Sequence, residues 1–382
     1  MRIVADENIP FVREAFAALG EVTTLPGREI DAAAVRYADM LLVRSITKVN
    51  RELLDGSRVQ FVATATIGED HVDTGYLAEQ GIAFSSAPGC NANSVAQYVT
   101  AALLELAARL DLDLPSLRLG IIGVGNVGKR VLAKATALGM ECVLNDPPLW
   151  KETGDDRYRP IEEMHSCDIV TLHVPLTLQG RYATHHLAGE RLVWNMRPKS
   201  ILINTSRGPV ADGNALKGAL HSGHLRACVL DVWEDEPRVD EELLRGVFIG
   251  TPHIAGYSFD GKVNGTRQIY GAACRHLGVE PDWDSAPLLP TPECPEVRVP
   301  GGGGMGAVRD AVRAVYDIWR DDAAMRTVLD APEEERPAVF DRLRKEYPRR
   351  REFFNTRAVV EPADTQLETQ LGGLGFAGRR DS

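Results

Sequence analysis

One stretch, Leu117 to Asp146 (LRLGIIGVGNVGKRVLAKATALGMECVLND), constrains the fold more than any other. Apolar Leu119, Ile121 and Ile122 predict a buried strand. The run breaks into Gly123-Val124-Gly125-Asn126-Val127-Gly128. A helical pattern then carries Val131, Leu132, Ala135 and Leu138 until Gly139 stops it. A second apolar run, Cys142 to Leu144, leads to Asp146. Each part has a physical role if a dinucleotide lies here. Gly123 makes the tight turn, Gly125 lets backbone approach the pyrophosphate, and Gly128 lets helix and strand pack closely. The helix start offers unpaired N–H groups and partial positive charge to phosphates. Asp146 comes 18 residues after Gly128 (146 − 128), close to the spacing of about 20 for an acid that holds ribose hydroxyls. A carboxylate there repels a 2′-phosphate, so the expected cofactor is NAD. A bare glycine triplet also fits a nucleotide-free turn; the strand–turn–helix–strand–acid context favours the dinucleotide.

The same β/α rhythm runs on both sides of this unit. Before it, strands are expected near Ile3–Ala5, Val22–Leu25, Met40–Val43, Phe61–Ala65 and Ile82–Ser85, with helices over Phe11–Leu19, Arg51–Leu54 and Thr74–Gln80. A helix from Ser94 to Leu110 links the two halves. After Asp146, strands are expected at Asp168–Val174, Ser200–Thr205, Arg226–Val232 and Val247–Ile249, with helices near Gly189–Met196 and Asn214–Ser222. Alternation of this kind gives parallel sheets covered by helices on both faces. With 382 residues the chain exceeds one ordinary core, so two or three domains are expected. A helix from Gly261 to Leu277 is expected to return to the first domain. We divide the chain into a substrate domain (1–93 and 258–287), a Rossmann NAD-binding domain (94–257) and a C-terminal region (288–382). The fold class is α/β: two doubly wound parallel-sheet domains plus a small C-terminal α+β domain.

The C-terminal region changes character. Leu288 to Gly304 is dense in Pro and Gly and reads as a linker. Met305 to Leu329 reads as one long amphipathic helix, Phe340 to Phe353 as a second, basic one, and Ala358–Val360 as a short strand before a final helix. The tail from Gly375 is expected to be loose. An apolar stripe without a catalytic cluster favours a dimerisation element over a cap on its own subunit.

Net charge of −11 weighs against nucleic acid or an anionic membrane surface as partner. Charged residues interrupt the most apolar helix, so no span is expected. The six cysteines lack CxxC pairing and read as free thiols, and no metal site is expected. The MRIVADENIP start lacks a signal-peptide layout, which with the free thiols points to a cytoplasmic protein.

In a parallel sheet, ligands bind beyond the carboxyl ends of the strands. There the sequence puts Arg44 and Ser45, then Thr66, then Ser206, Arg207 and Gly208, then Asp231, Glu234 and Glu236, and finally Thr251, Pro252 and His253. A base that changes protonation near neutral pH, a carboxylate to fix its tautomer, and a guanidinium fork to clamp a carboxylate suit hydride removal from a hydroxy acid. His253 and Arg207 fill two of those roles; spacing alone leaves Glu234 and Glu236 open as the carboxylate. His71 is a rival base, more readily placed at a helix start. His185, His186, His221 and His224 read as solvated.

Several motifs carry a family resemblance. They are APGCNANSVAQY (Ala87–Tyr98), the glycine turn, LHVPLT (Leu172–Thr177), INTSRGPVAD (Ile203–Asp212), LDVWEDEP (Leu230–Pro237) and TPHIAGYS (Thr251–Ser258). In this order they resemble the D-isomer-specific 2-hydroxyacid dehydrogenases. TPHIAGYSFDGKVNGT, YDIWRDDAAMR and FDRLRKEYPRRREF resemble one branch of that family, whose C-terminal domain dimerises. The resemblance implies NAD-dependent oxidation of 4-phospho-D-erythronate to the 2-oxo acid, in pyridoxal 5′-phosphate (vitamin B6) biosynthesis, by a homodimer. It implies catalysis by Arg207, Glu236 and His253, choosing Glu236. It implies NAD contacts at Asn126, Val127, Asp146, Ser206, Asp231 and Gly256 beside Gly123, Gly125 and Gly128, and substrate contacts at Ser45, Thr66 and Tyr257. Val174, Gly213 and the Gly301–Gly304 run depart from the family pattern. The substrate phosphate is unassigned; Arg44 and Lys48 are candidates on charge alone. Rival readings are a related enzyme such as one for 3-phosphoglycerate, and a non-catalytic NAD(H)-sensing protein.

Overall fold

A computed structural model describes residues 1–378. They fall into two compact units, Met1–Asn91 with Ser258–Thr291, and Ala92–Tyr257 with the chain from Pro292 onward.

The first unit is built on five parallel strands: β1 (Arg2–Asp6), β2 (Glu21–Leu25), β3 (Met40–Val43), β4 (Phe61–Thr64) and β5 (Ala83–Ser85), in the order β2-β1-β3-β4-β5. Strands β3 and β4 are buried along their whole length, which is why they read as unbroken apolar runs rather than alternating ones. Leu42, Phe61 and Ala63 face a core with Phe16 and Tyr270; Leu41, Val43 and Val62 face another with Leu53, Tyr76 and Leu77. Tyr270 belongs to the helix Phe259–Leu277, whose N-cap Ser258 accepts from the Gly261 N–H through Oγ.

The second unit holds six parallel strands: β6 (Arg118–Ile122), β7 (Glu141–Asn145), β8 (Ile169–Leu172), β9 (Ser200–Asn204), β10 (Leu225–Leu230) and β11 (Ile249–Gly250). Their order is β11-β10-β9-β8-β6-β7. The 19-residue helix Ala92–Leu110 is buried over most of its length and joins one apolar core with the helix Asn126–Ala137 and with Val308, Val312 and Leu371 from the C-terminal segment. The α/β class, with a small C-terminal sheet and helices, is the one expected from sequence.

Four C-terminal expectations are corrected. The stretch that reads as a linker contains β12 (Glu296–Pro300), which pairs in parallel with β13 (Arg357–Glu361); its partner is too distant in sequence for local Pro and Gly content to reveal it. The expected long helix breaks into Gly304–Val315 and Ile318–Arg326. Tyr316 turns extended there and donates from Oη to Asp321, while Asp317 caps the new helix by accepting from the Trp319 N–H. The basic helix spans Arg336–Lys345 and ends short of Pro348, whose ring cannot continue it. Of the tail expected to be loose, Phe376 is buried and stacks on Phe353 at 4.8 Å; residues 379–382 lie outside the described residues. Among the described residues all six cysteines are free, and no helix is long and apolar enough to cross a membrane.

Candidate active site

The glycine turn behaves as its spacing suggests. Gly123 has φ +87°, and a Cβ there would lie 2.6 Å from the His173 carbonyl oxygen. A Cβ on Gly128 would lie 2.1 Å from the Gly123 carbonyl oxygen, so only hydrogen fits where helix meets turn. A Cβ on Gly125 would meet nothing within 4 Å. Gly125 is also the N-cap of the helix Asn126–Ala137 and no side chain caps it. Its first N–H groups are therefore left without a side-chain cap, as a phosphate site requires. Asp146 comes directly after β7 and is tied to the turn: Oδ2 accepts from the Val124 N–H at 2.8 Å and Oδ1 from the Leu149 N–H at 3.0 Å. An open glycine, an uncapped helix start and an adjacent carboxylate fit the pyrophosphate and ribose of NAD. His173, behind the turn, adds no charge, because burial pushes its imidazole down to about 3.

On the other side of the sheet, β9, β10 and β11 run in parallel. The segments after them therefore emerge at one edge. Asn204 organises the first: Oδ1 accepts from the Ser206 N–H and Oγ, and Nδ2 donates to the Arg207 carbonyl. A Cβ on Gly208 would lie 1.7 Å from the Trp233 carbonyl oxygen; lacking one, Gly208 lets the Arg207 segment press against the segment that carries Glu236. Asp231, 1% exposed, organises the third. Its carboxylate accepts from Thr251 Oγ1 at 2.6 Å and from the Ile254 and Ala255 N–H groups at 2.8 and 2.9 Å. Asp231 is thus already engaged in holding the loop around His253, and Gly256 lies in that loop.

His253 adopts φ +58°, an uncommon conformation for a residue with a side chain and one typical of functional sites. Its Nδ1 lies 2.7 Å from Glu236 Oε2, and Glu236 Oε1 accepts from the Trp233 N–H at 2.8 Å. With Nδ1–H donating to the carboxylate, Nε2 is the free basic atom. Burial pushes the Glu236 carboxyl up, but the adjacent His253, the bond between them, the Trp233 N–H and the Arg344 guanidinium together hold it below the usual carboxylate range.

Glu234 points elsewhere: Oε1 meets His186 Nε2 at 2.5 Å and Oε2 accepts from the Gly213 N–H. His185 is exposed, as expected, and stacks on His186 at 4.1 Å; His186 is half-buried and held by Glu234. Ser45 and Thr66 belong to the first unit, Ser45 exposed after β3 and Thr66 bonded to Thr64 Oγ1 and the Gly68 carbonyl. His71 lies in the loop before the helix Thr74–Glu79, its Nε2 3.1 Å from Thr64 Oγ1. Tyr257 lies in the second unit, its hydroxyl accepting from Arg344 Nη2 at 3.1 Å. Sequence reasoning missed Arg344; the only signal was the basic run in which it sits.

Comparison with known proteins agrees with this geometry. Residues 94–255 match the D-isomer specific 2-hydroxyacid dehydrogenase NAD binding domain, and residues 288–375 match a domain of unknown function. Erythronate-4-phosphate dehydrogenase of Cronobacter sakazakii is 46% identical, with 98% of each chain covered. That of Cellvibrio japonicus is 47% identical over 98% of this chain and 99% of its own. Among solved structures, D-lactate dehydrogenase from Aquifex aeolicus, complexed with NAD and lactic acid, superposes with a TM-score of 0.58 at 25% identity. It covers 73% of this chain and 96% of its own. NAD-bound 3-phosphoglycerate dehydrogenase from Entamoeba histolytica gives 0.62 at 25%, covering 73% and 95%. The chain belongs to the D-isomer-specific 2-hydroxyacid dehydrogenases and, within them, groups with the erythronate-4-phosphate dehydrogenases.

Proposed function

We propose that the chain oxidises 4-phospho-D-erythronate to (R)-3-hydroxy-2-oxo-4-phosphooxybutanoate with NAD, as a step of pyridoxal 5′-phosphate biosynthesis. The chemistry rests on one observation, the 2.7 Å bond between His253 Nδ1 and Glu236 Oε2 at the edge where Arg207 emerges. The substrate rests on near-full-length relatives of that name. NAD, when bound, supplies the hydride acceptor. Gly123, Gly125 and Gly128 with the N–H groups of Asn126 and Val127 hold its pyrophosphate, Asp146 its ribose hydroxyls, and the Ser206, Asp231 and Gly256 segments line its remainder. His253 Nε2 takes the proton of the substrate's 2-hydroxyl, and Glu236 keeps the ring in the right tautomer and stabilises the imidazolium. Arg207 clamps the substrate carboxylate and polarises the forming carbonyl. Ser45, Thr66 and Tyr257 contact the substrate.

We further propose three domains as divided above, a homodimer assembled through 288–382, and a cytoplasmic location. The dimer rests on the resemblance of the C-terminal motifs YDIWRDDAAMR and FDRLRKEYPRRREF to a branch whose C-terminal domain dimerises. NADH formation with 4-phospho-D-erythronate, compared with 3-phosphoglycerate, tests the reading. Preference for the former is expected; preference for the latter would overturn the substrate, and NADH binding without turnover of either would overturn the enzyme.

A further inference from the structure

The proposed substrate carries an anionic group at each end, a carboxylate and a phosphate, and the catalytic edge offers one guanidinium, Arg207, for the two. A second guanidinium lies in the same unit. Arg344 sits in the last turn of the basic helix Arg336–Lys345, anchored by Phe340, which is fully buried. Its guanidinium lies 5.9 Å from the Phe340 ring and 5.9 Å from the Tyr257 ring, and Nη2 donates to the Tyr257 hydroxyl at 3.1 Å. These contacts fix the fork in place before any ligand arrives. Its Nε is shut off from water and has no hydrogen-bond acceptor among the described residues. A guanidinium carries five N–H donors, and leaving a buried one unanswered is costly. Arg344 as a whole is only half-buried, so an oxyanion can reach the donors that Tyr257 leaves over.

The neighbouring cation shows the contrast. Arg350, from the same basic run, also has buried N–H groups without acceptors among the described residues, at Nε and Nη1. But it is only 7% exposed, donates to the Ser94 hydroxyl and to the Ala255 carbonyl, and lies 4.1 Å from the Tyr316 ring. It braces the helix Ala92–Leu110 against the loop after His253. Arg344 closes no comparable brace; it donates to a tyrosine that itself belongs to the proposed substrate site.

We infer that Arg344 binds the phosphate of the substrate, so that the C-terminal segment supplies the residue that selects a phosphorylated hydroxy acid over an unphosphorylated one. The inference rests on the function proposed above. It assigns the two anionic ends to two forks, Arg207 for the carboxylate beside the reacting carbon and Arg344 for the phosphate, with His253 and Tyr257 between them in the chain. A planar fork suits a phosphate because two parallel N–H donors match two of its oxygens. It replaces the candidates chosen on charge alone, Arg44 and Lys48, which belong to the first unit.

The test measures kcat/KM for 4-phospho-D-erythronate and for D-erythronate in the wild type and in the variants R344M, R344K and R44M. Calorimetric titration of inorganic phosphate onto the NAD-loaded proteins is the second readout. R344M should lose about a hundredfold on the phosphorylated substrate, mainly through KM, while changing less than about threefold on D-erythronate. R344K should recover part of the loss. Phosphate should bind the wild type and R44M, and not R344M. Equal loss on both substrates would overturn the inference, reducing Arg344 to a support for Tyr257 and Glu236. So would discrimination lost in R44M and kept in R344M, or phosphate binding unchanged by R344M. A wild type that ignores 4-phospho-D-erythronate would bring down the proposed function instead, and the phosphate titration would still decide the anion site.

Discussion

The two sheets share a strand order. Each places its second strand outside its first and runs the rest the other way, β2-β1-β3-β4-β5 in one unit and β7-β6-β8-β9-β10-β11 in the other. Each therefore has a switch point beside its first strand, the place where such sheets bind ligands. The turns leaving that first strand differ completely. After β6 comes a glycine turn, a helix of 12 residues with an uncapped start, and open space at Gly125. Strand β1 ends on Asp6, followed by Glu7-Asn8, with Asp6 fully buried and its carboxylate accepting from the Asn8 N–H and Nδ2. The helix beyond it, Val12–Phe16, is only five residues long. A buried carboxylate repels a phosphate, and so short a helix adds little dipole. The topology supplies a crevice in both units; the residues of the first turn decide which one can hold a dinucleotide.

The sharpest way to break this contrast is to compare an imidazole at each edge. His253→Ala should cut turnover by about 10²–10⁴-fold while NADH still titrates. His71→Ala, in the first unit, should cost less than about tenfold. Steady-state rates decide it, and a larger loss at His71 would reverse the roles. Next in size, Gly128→Ala drives a methyl toward the Gly123 carbonyl and should weaken NAD binding by roughly tenfold or more. Gly75→Ala, in the helix Thr74–Glu79 with no neighbour nearer than 3.5 Å, should be neutral or stabilise by about 0.4–1 kcal/mol. Fluorescence titration and thermal unfolding measure the two.

Asp146→Ala should relax the preference for NAD over NADP by about tenfold. Because Asp146 also caps the helix Pro147–Thr153, it should cost about 1 kcal/mol of stability. Asp146→Asn keeps the cap, so it separates the two effects. The smallest change is expected from Glu236→Gln, which takes the carboxylate from beside the imidazolium. The rising limb of the pH–rate profile should move to lower pH by roughly one unit; an unmoved profile would dissociate Glu236 from the base. The same carboxyl bears on stability. Its folded value lies below the ordinary 4.5, so its contribution is complete above that pH and is lost as pH falls through the folded value. Acid unfolding of the Gln variant should therefore be shallower below pH 4.5.

How much was legible in the sequence depended on how local the cause was. Gly123, Gly125, Gly128 and Asp146 could be assigned roles from spacing because the strand–turn–helix unit closes on itself within 30 residues. The choice between Glu234 and Glu236 had no such local answer. It comes from the turn after β10, where the Trp233 N–H captures Glu236 Oε1 and leaves Oε2 for His253, while Glu234 turns to His186. Strand β12 stayed hidden because the bonds that make it a strand come from β13. The break at Tyr316 stayed hidden because an apolar helical stripe continues through it.

By itself, the sequence determined the α/β class, the parallel sheets, the dinucleotide turn and the set of polar residues delivered to the strand ends, since periodicity and glycine stereochemistry act over a few neighbours. Tertiary structure alone decided which carboxylate meets His253, that Asp231 is spent on bracing the His253 loop, and that Arg344, from a region with no catalytic signature, stands beside Tyr257. Those pairings join residues 17 to 87 positions apart. Only the closed core, by fixing where distant segments can lie without voids or stranded polar groups, selects among them.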